Sequence, residues 1–205
     1  MTRTKKFAGA ETLFFSPAVY NRMTAEKDAV ATVANLMALA ARTAPKAKGV
    51  DTIFVKVLTK KEIKDLATRL KSLGEERDLH FFLRDAKNIA ASDGCIIIGA
   101  QGNVPAGVNC GACGFSTCAE FTKNFIKKDK KTTDFTGPNC SVRMADLGIA
   151  LGSAVKTAQV HNVDNRIMYT GGVAAMDLGT LGEDCTIAYA IPLSATGKNI
   201  YFDRK

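Results

Sequence analysis

Four cysteines in the middle of the chain constrain its fold more than any other feature. They stand in Asn109-Cys110-Gly111-Ala112-Cys113-Gly114-Phe115-Ser116-Thr117-Cys118 and in Pro138-Asn139-Cys140, a spacing of C-x2-C-x4-C-x21-C. A segment that gathers thiols this closely, with Gly111 and Gly114 between them, must turn sharply, and glycine supplies such turns. Iron–sulfur clusters are held by cysteine thiolates. A tight loop can reach three corners of a [4Fe–4S] cubane, and a separate segment, here the one ending in Cys140, must close the cage. The amides of Gly111 and Gly114 can also point at the sulfurs and tune the potential. Zinc is the rival, but structural zinc sites prefer two paired C-x2-C knuckles, and only the first pair here has that form. Spacing together with the Gly and Pro placements favours iron–sulfur over zinc, and both over buried free thiols.

The flanks of this segment read as ordinary secondary structure. Val30, Val33, Ala34, Met37, Ala40 and Ala41 repeat at helical spacing, which predicts a helix over 24–42, ended by Pro45 and Gly49. Residues 52–58 (TIFVKVL) predict a strand. Thr59 can cap a helix with Ile63, Leu66, Ala67, Leu70 and Leu73 inward and Gly74 as its stop. A weaker helix follows over 79–91. The apolar run CIIIGA (95–100) predicts a strand buried on both faces. The period vanishes over 101–140 and returns over 141–160 as a long apolar helix. Gly171-Gly172 reads as a turn, and 186–191 as a last strand closed by Pro192. Strands alternating with helices imply a layered α/β or α+β fold.

Composition narrows the function. The chain has 205 residues, 46% of them apolar, enough for a full core, and no apolar run of about 18 residues that would span a membrane. Glu11 interrupts the weakly apolar N-terminal stretch, so no signal peptide is expected and the protein is expected to be cytoplasmic. In a reducing compartment, six cysteines point to metal or redox use rather than disulfides. Cys95 and Cys185 lie in apolar runs and read as core residues. The formal net charge is +8, although four thiolates around a cluster would make the loaded protein less basic. Lys123, Lys127, Lys128, Lys130 and Lys131 form either a solvated face or a docking patch for an acidic electron-transfer protein. Aromatic interleaving among them is too limited for a nucleic-acid surface. His161 reads as a helix cap, and neither a Ser-His-Asp triad nor a phosphate loop is present, so no catalytic residue is legible.

Three resemblances add to these readings. CGACGFSTCAEF resembles the cluster domain of the corrinoid iron–sulfur protein and of the B subunit of the Rnf complex, which implies Cys110, Cys113, Cys118 and Cys140 as [4Fe–4S] ligands. AARTAPKAKGVD, NCGACGF, DLGIALGSAVKTA, DNRIMY and IPLSATGKNIYFDR make the whole chain similar to the uncharacterised ferredoxin-domain proteins of anaerobic bacteria and archaea. The segments 40–51, 146–158 and 187–194 resemble, more distantly, the nitroreductase family. That likeness implies an α+β fold: a nitroreductase-like central sheet flanked by helices, formed by 1–100 with 141–205 as one discontinuous domain, carrying an iron–sulfur insert at 101–140. It further implies FMN, with Arg42, Lys46, Lys48 and Arg204 as the basic residues to test for phosphate contact, and a homodimer through the 141–160 helix. The functional expectation is a flavin/[4Fe–4S] oxidoreductase relaying electrons from a low-potential carrier to an unknown substrate. The alternative is a cluster-only carrier or redox sensor.

Overall fold

The run CIIIGA does form the centre of the sheet. In the computed structural model, which describes residues 25–125 and 133–202, β2 (Gly94–Ala100) pairs antiparallel with β1 (Ile53–Val57) on one side. On its other side it pairs antiparallel with β4 (Ile187–Ser194), and the two-residue β3 (Asp164–Asn165) lies beyond, giving the order β1-β2-β4-β3. Side chains alternate across a strand. Ile96 and Ile98 therefore enter a core shared with α1 (Ala25–Thr43) and α5 (Ser141–Val160). Cys95 and Ile97 enter a second core with α2 (Lys60–Glu76), α3 (His80–Ala90) and α6 (Tyr169–Asp177). Helices on both faces explain why the strand is apolar throughout although every pairing is antiparallel.

Most elements fall where the sequence placed them, and α2 shows why. Thr59 Oγ1 accepts from the Glu62 N–H at 3.3 Å while the Glu62 carboxylate accepts from the Thr59 N–H at 2.8 Å, a reciprocal cap that fixes the helix start. Three expectations need correction. Gly74 does not end α2, which runs on to Glu76; a Cβ there would stand 2.8 Å from Leu83 Cδ2, so this glycine serves the packing of α3. Pro192 does not close β4, which continues to Ser194. Ala190 exchanges both backbone bonds with Met168 on the β3 side, so by alternation the nitrogen of Pro192 faces the gap between Asn165 and Met168, where no ladder bond is lost.

The third correction concerns Gly171-Gly172, which form no turn but lie inside α6. Two helical glycines are locally unfavourable, yet here they let the helix lie directly on β4. A Cβ at Gly172 would stand 1.8 Å from the Ala188 carbonyl oxygen, a backbone atom that cannot move aside. Gly172→Ala is therefore expected to cost about 3 kcal/mol or more, read as a lowered urea midpoint. An unchanged midpoint for Gly172→Ala would contradict the packing described.

Candidate metal centre

The cysteine loop is shaped by three backbone positions in the left-handed region: Asn109 (φ 47°), Gly111 (φ 72°) and Gly114 (φ 88°). The Gly114 N–H donates to the Gly111 carbonyl at 2.9 Å, closing the turn between Cys110 and Cys113. Asn109 tolerates its strained backbone better than most residues, and its Oδ1 accepts from the Cys118 N–H at 2.8 Å, tying the loop's two ends together. There α4 (Cys118–Lys123) begins, with the Thr117 hydroxyl accepting from the Glu120 N–H at 3.1 Å. Phe121, fully buried, meets Phe115 edge-to-face at 5.9 Å and anchors the loop on a small core with Ala106 and Cys140.

Cys140 arrives from the far side of the sequence as the N-cap residue of α5. Its N–H donates to the Gly102 carbonyl at 2.8 Å, and the Gly102 N–H donates to the Thr186 hydroxyl at 2.8 Å, so the fourth cysteine is registered against the end of the sheet. All four cysteines line one small cavity. Cys110 is exposed, Cys113 and Cys118 are half-buried and Cys140 is buried. The N–H of Asn109 above all, then those of Gly107 and Val108 and the Lys48 ammonium, hold the Cys118 thiol below its ordinary pKa. Cys95 and Cys185 behave otherwise: burial pushes their thiols up to about 12 and about 11, and both are core residues.

The ligand donors gathered at this cavity are the four cysteine thiols. Among the described residues, no three His, Cys, Asp or Glu side chains stand together as a site for a single metal ion. A tetrahedral zinc with Zn–S bonds of about 2.3 Å would need sulfurs about 3.8 Å apart. Four thiols lining one cavity are a donor set that a zinc ion and a multinuclear iron–sulfur group can both take.

Among the described residues, the basic groups expected to meet a flavin phosphate, Arg42, Lys46 and Lys48, point to different partners. Arg42 donates to Asp51 at 2.5 Å and to the Ile53 carbonyl at 2.7 Å. Burial acts to raise the Asp51 carboxyl, but the Arg42 bond and charge outweigh it and hold the group below its usual range. The Lys46 ammonium turns back onto the Ala41 and Arg42 carbonyls. Lys48 reaches instead toward the cysteine loop, its Nζ 3.9 Å from where a Cβ at Gly107 would stand. Arg204, Lys127, Lys128, Lys130 and Lys131 lie outside the described residues, while Lys123 is exposed at the end of α4.

One buried ion pair was missed by sequence reasoning. Arg143, 2% exposed, lies within α5 and donates to Asp146 at 3.1 Å, to the Val104 carbonyl at 3.1 Å and to the Ala47 and Val50 carbonyls at 3.3 Å. Asp146 accepts from the Ala47 N–H at 2.8 Å. The hint in the sequence was an i,i+3 pair of opposite charges in the first turns of a mostly apolar helix.

The family model described as "Uncharacterized protein containing a ferredoxin domain (DUF2148)" matches residues 136–204, and an Fe-S cluster model matches residues 106–134. An uncharacterized protein of Archaeoglobus fulgidus is 45% identical over 179 residues, covering 87% of this chain and 94% of that one. In fold the chain is similar to B. megaterium NfrA1, with a TM-score of 0.52, 12% identity, and 85% and 61% of the two chains covered. It is also similar to a protein described as a nitroreductase, in complex with FMN, from Desulfovibrio desulfuricans, with a TM-score of 0.50, 11% identity, and 85% and 78% covered. A nitroreductase family protein from Clostridium novyi NT gives a TM-score of 0.50 at 13% identity, with 88% and 79% covered. Fold and comparisons together define an iron–sulfur redox protein built on a nitroreductase-like α+β fold. The chain belongs to the family described as uncharacterized proteins containing a ferredoxin domain, and it shares a family with the Archaeoglobus relative.

The buried pair gives a direct prediction. Arg143→Met leaves the Asp146 carboxylate buried without its cation and strips three carbonyls of a donor, so a loss of about 3–5 kcal/mol is expected in urea unfolding. A loss below about 1 kcal/mol would show that the pair does not hold the loops.

Proposed function

We propose that the protein is a [4Fe–4S] electron-transfer protein in which Cys110, Cys113, Cys118 and Cys140 each hold one iron. The observation that carries this reading is that all four thiols line one cavity although Cys140 comes from a separate segment. When bound, such a cluster takes up and releases single electrons at a potential set by its surroundings. The chain's own groups act on the sulfurs. Backbone N–H groups of residues 107–109 address Cys118, and the N-terminus of α5 presents its partial positive charge at Cys140. Phe115, Phe121 and Ala106 wall the inner side, and Cys110 at the surface offers a short path to an outside partner.

We read residues 101–140 as an inserted unit and 1–100 with 141–205 as one discontinuous domain, which the separate small core around Phe121 supports. The electron donor in this reading is a low-potential carrier, an acidic protein drawn by the lysines after Cys118, and the acceptor a substrate of unassigned chemistry. A second reading adds FMN, and the likeness to an FMN-bound structure favours it. Arg42 and Lys46 direct their charged groups onto their own chain, which weighs against a phosphate contact at either.

A homodimer belongs to the same reading. Ala145, Gly148, Ile149, Gly152 and Val160 leave one face of α5 open, small enough for another helix to approach, and α1, packed beside it, exposes Leu36 and Leu39. Light scattering coupled to size exclusion should return twice the single-chain mass at micromolar concentration; the single-chain mass would rule the dimer out. Anaerobically prepared protein should carry about four iron and about four acid-labile sulfide per chain. Cys110→Ala and Cys113→Ala should each lose most of both. Stoichiometric zinc without iron, or a normal cluster in both variants, would refute the assignment. After bleaching of the cluster, remaining flavin absorbance bands would select the second reading.

A further inference from the structure

The loop after α1 carries an unusual backbone beside the cysteine cavity. Lys48 adopts φ 58° and ψ 18°, and Gly49 follows at φ 68°. Glycine enters this region freely, whereas a side chain such as lysine's crowds the neighbouring carbonyl there. The loop is held on both sides of the two left-handed residues. On one side the Ala47 N–H donates to Asp146 and its carbonyl accepts from Arg143; on the other the Val50 carbonyl accepts from Arg143.

The conformation has a directional result. Arg42 is tied to Asp51, and Lys46 turns back onto the end of α1. Lys48 crosses to the cysteine loop, its Nζ 3.9 Å from where a Cβ at Gly107 would stand, between Ala106 and Val108 on the wall of the cysteine cavity. The same Arg143 donates to the Val104 carbonyl at the foot of the cysteine loop, so one buried guanidinium fixes both the lysine's loop and the loop it addresses. A glycine would fill position 48 without strain, but it would bring no charge to the cavity.

We propose that Lys48 sets the reduction potential of the cluster held by the four cysteines, its ammonium stabilising the negative charge that one-electron uptake adds. This rests on the cluster assignment above. Uptake of one electron raises the negative charge of the cluster and its thiolates by one unit, and a fixed cation nearby favours that state over the oxidised one. The reduction potential is thereby raised. Because Lys48 is exposed, the effect is screened by salt.

The test is an anaerobic dithionite titration of the cluster-loaded protein, followed by absorbance and by the electron paramagnetic resonance of the reduced state. Wild type is compared with Lys48→Gln, Lys48→Arg and Lys48→Gly. The constant for one-electron uptake should fall about threefold to tenfold in Lys48→Gln and Lys48→Gly, a downward midpoint shift of about 30–60 mV at 59 mV per tenfold. Lys48→Arg should keep the wild-type midpoint, and the difference between Lys48→Gln and wild type should shrink at high ionic strength. Lys48→Gly relieves the backbone strain, so it should unfold at an equal or higher urea concentration, which separates loss of charge from loss of fold. Unmoved midpoints in Lys48→Gln and Lys48→Gly would overturn the role of Lys48 while leaving the cluster in place. So would a fall in Lys48→Arg as large as in Lys48→Gln. A wild-type protein that takes up no iron would overturn the cluster assignment and this proposal together.

Discussion

Arg143 and Asp146 form a nearly water-free ion pair from which the rest of the candidate site hangs. A charge pair in a protein interior repays its desolvation only when its remaining hydrogen-bonding groups are satisfied. Here they are satisfied by backbone from two other segments: the 3-10 turn at Ala47–Gly49 with Val50, and Val104 at the start of the cysteine loop. The pair lies one turn inside α5, whose N-cap residue is Cys140. The three closely spaced cysteines, the distant cysteine and the lysine loop therefore share one rigid reference. A loop rich in glycine has little to hold it by itself; this pair supplies what the loop lacks.

The scaffold explains why that reference is stable. α5 lies across the central strands with α1 beside it, and Leu147, Ala150 and Ala154 share a core with Ile96 and Ile98. Thr186, next to the start of β4, receives the Gly102 N–H and sits within 2.6 Å of Asn139 Oδ1, so the sheet end also fixes the approach to Cys140. The nitroreductase-like fold thus offers a packed helix N-terminus and a sheet end as two solid walls, and the cysteine loop adds a third wall around Phe121.

Much of this was legible in the sequence, for reasons that differ by element. The gathering of the four cysteines around one cavity was readable because three of them stand close together in a glycine-bearing loop and the fourth directly precedes the long apolar helix. The α5 span was readable because its helical repeat runs unbroken from Ser141 to Val160. Other features were hidden because their causes are long-range. Gly171 and Gly172 look like a turn until β4 is seen pressed against them, and Pro192 looks like a strand end until the missing partner at its nitrogen is seen. The charges of Arg42 and Lys46 were visible but their partners were not: a sequence shows a cation and leaves open whether an Asp51 or a row of helix carbonyls already uses it. Arg143 and Asp146 escaped notice because nothing local tells a buried pair from a solvated one.

The central claim is that one multinuclear iron–sulfur group joins the cysteine loop to the start of α5. Anomalous diffraction at the iron edge from crystals grown without oxygen tests it most directly. One compact group of iron positions per chain is expected, enclosed by the sulfurs of Cys110, Cys113, Cys118 and Cys140. A single metal ion at that place, or iron bound elsewhere with Cys140 at a distance from it, would contradict the account.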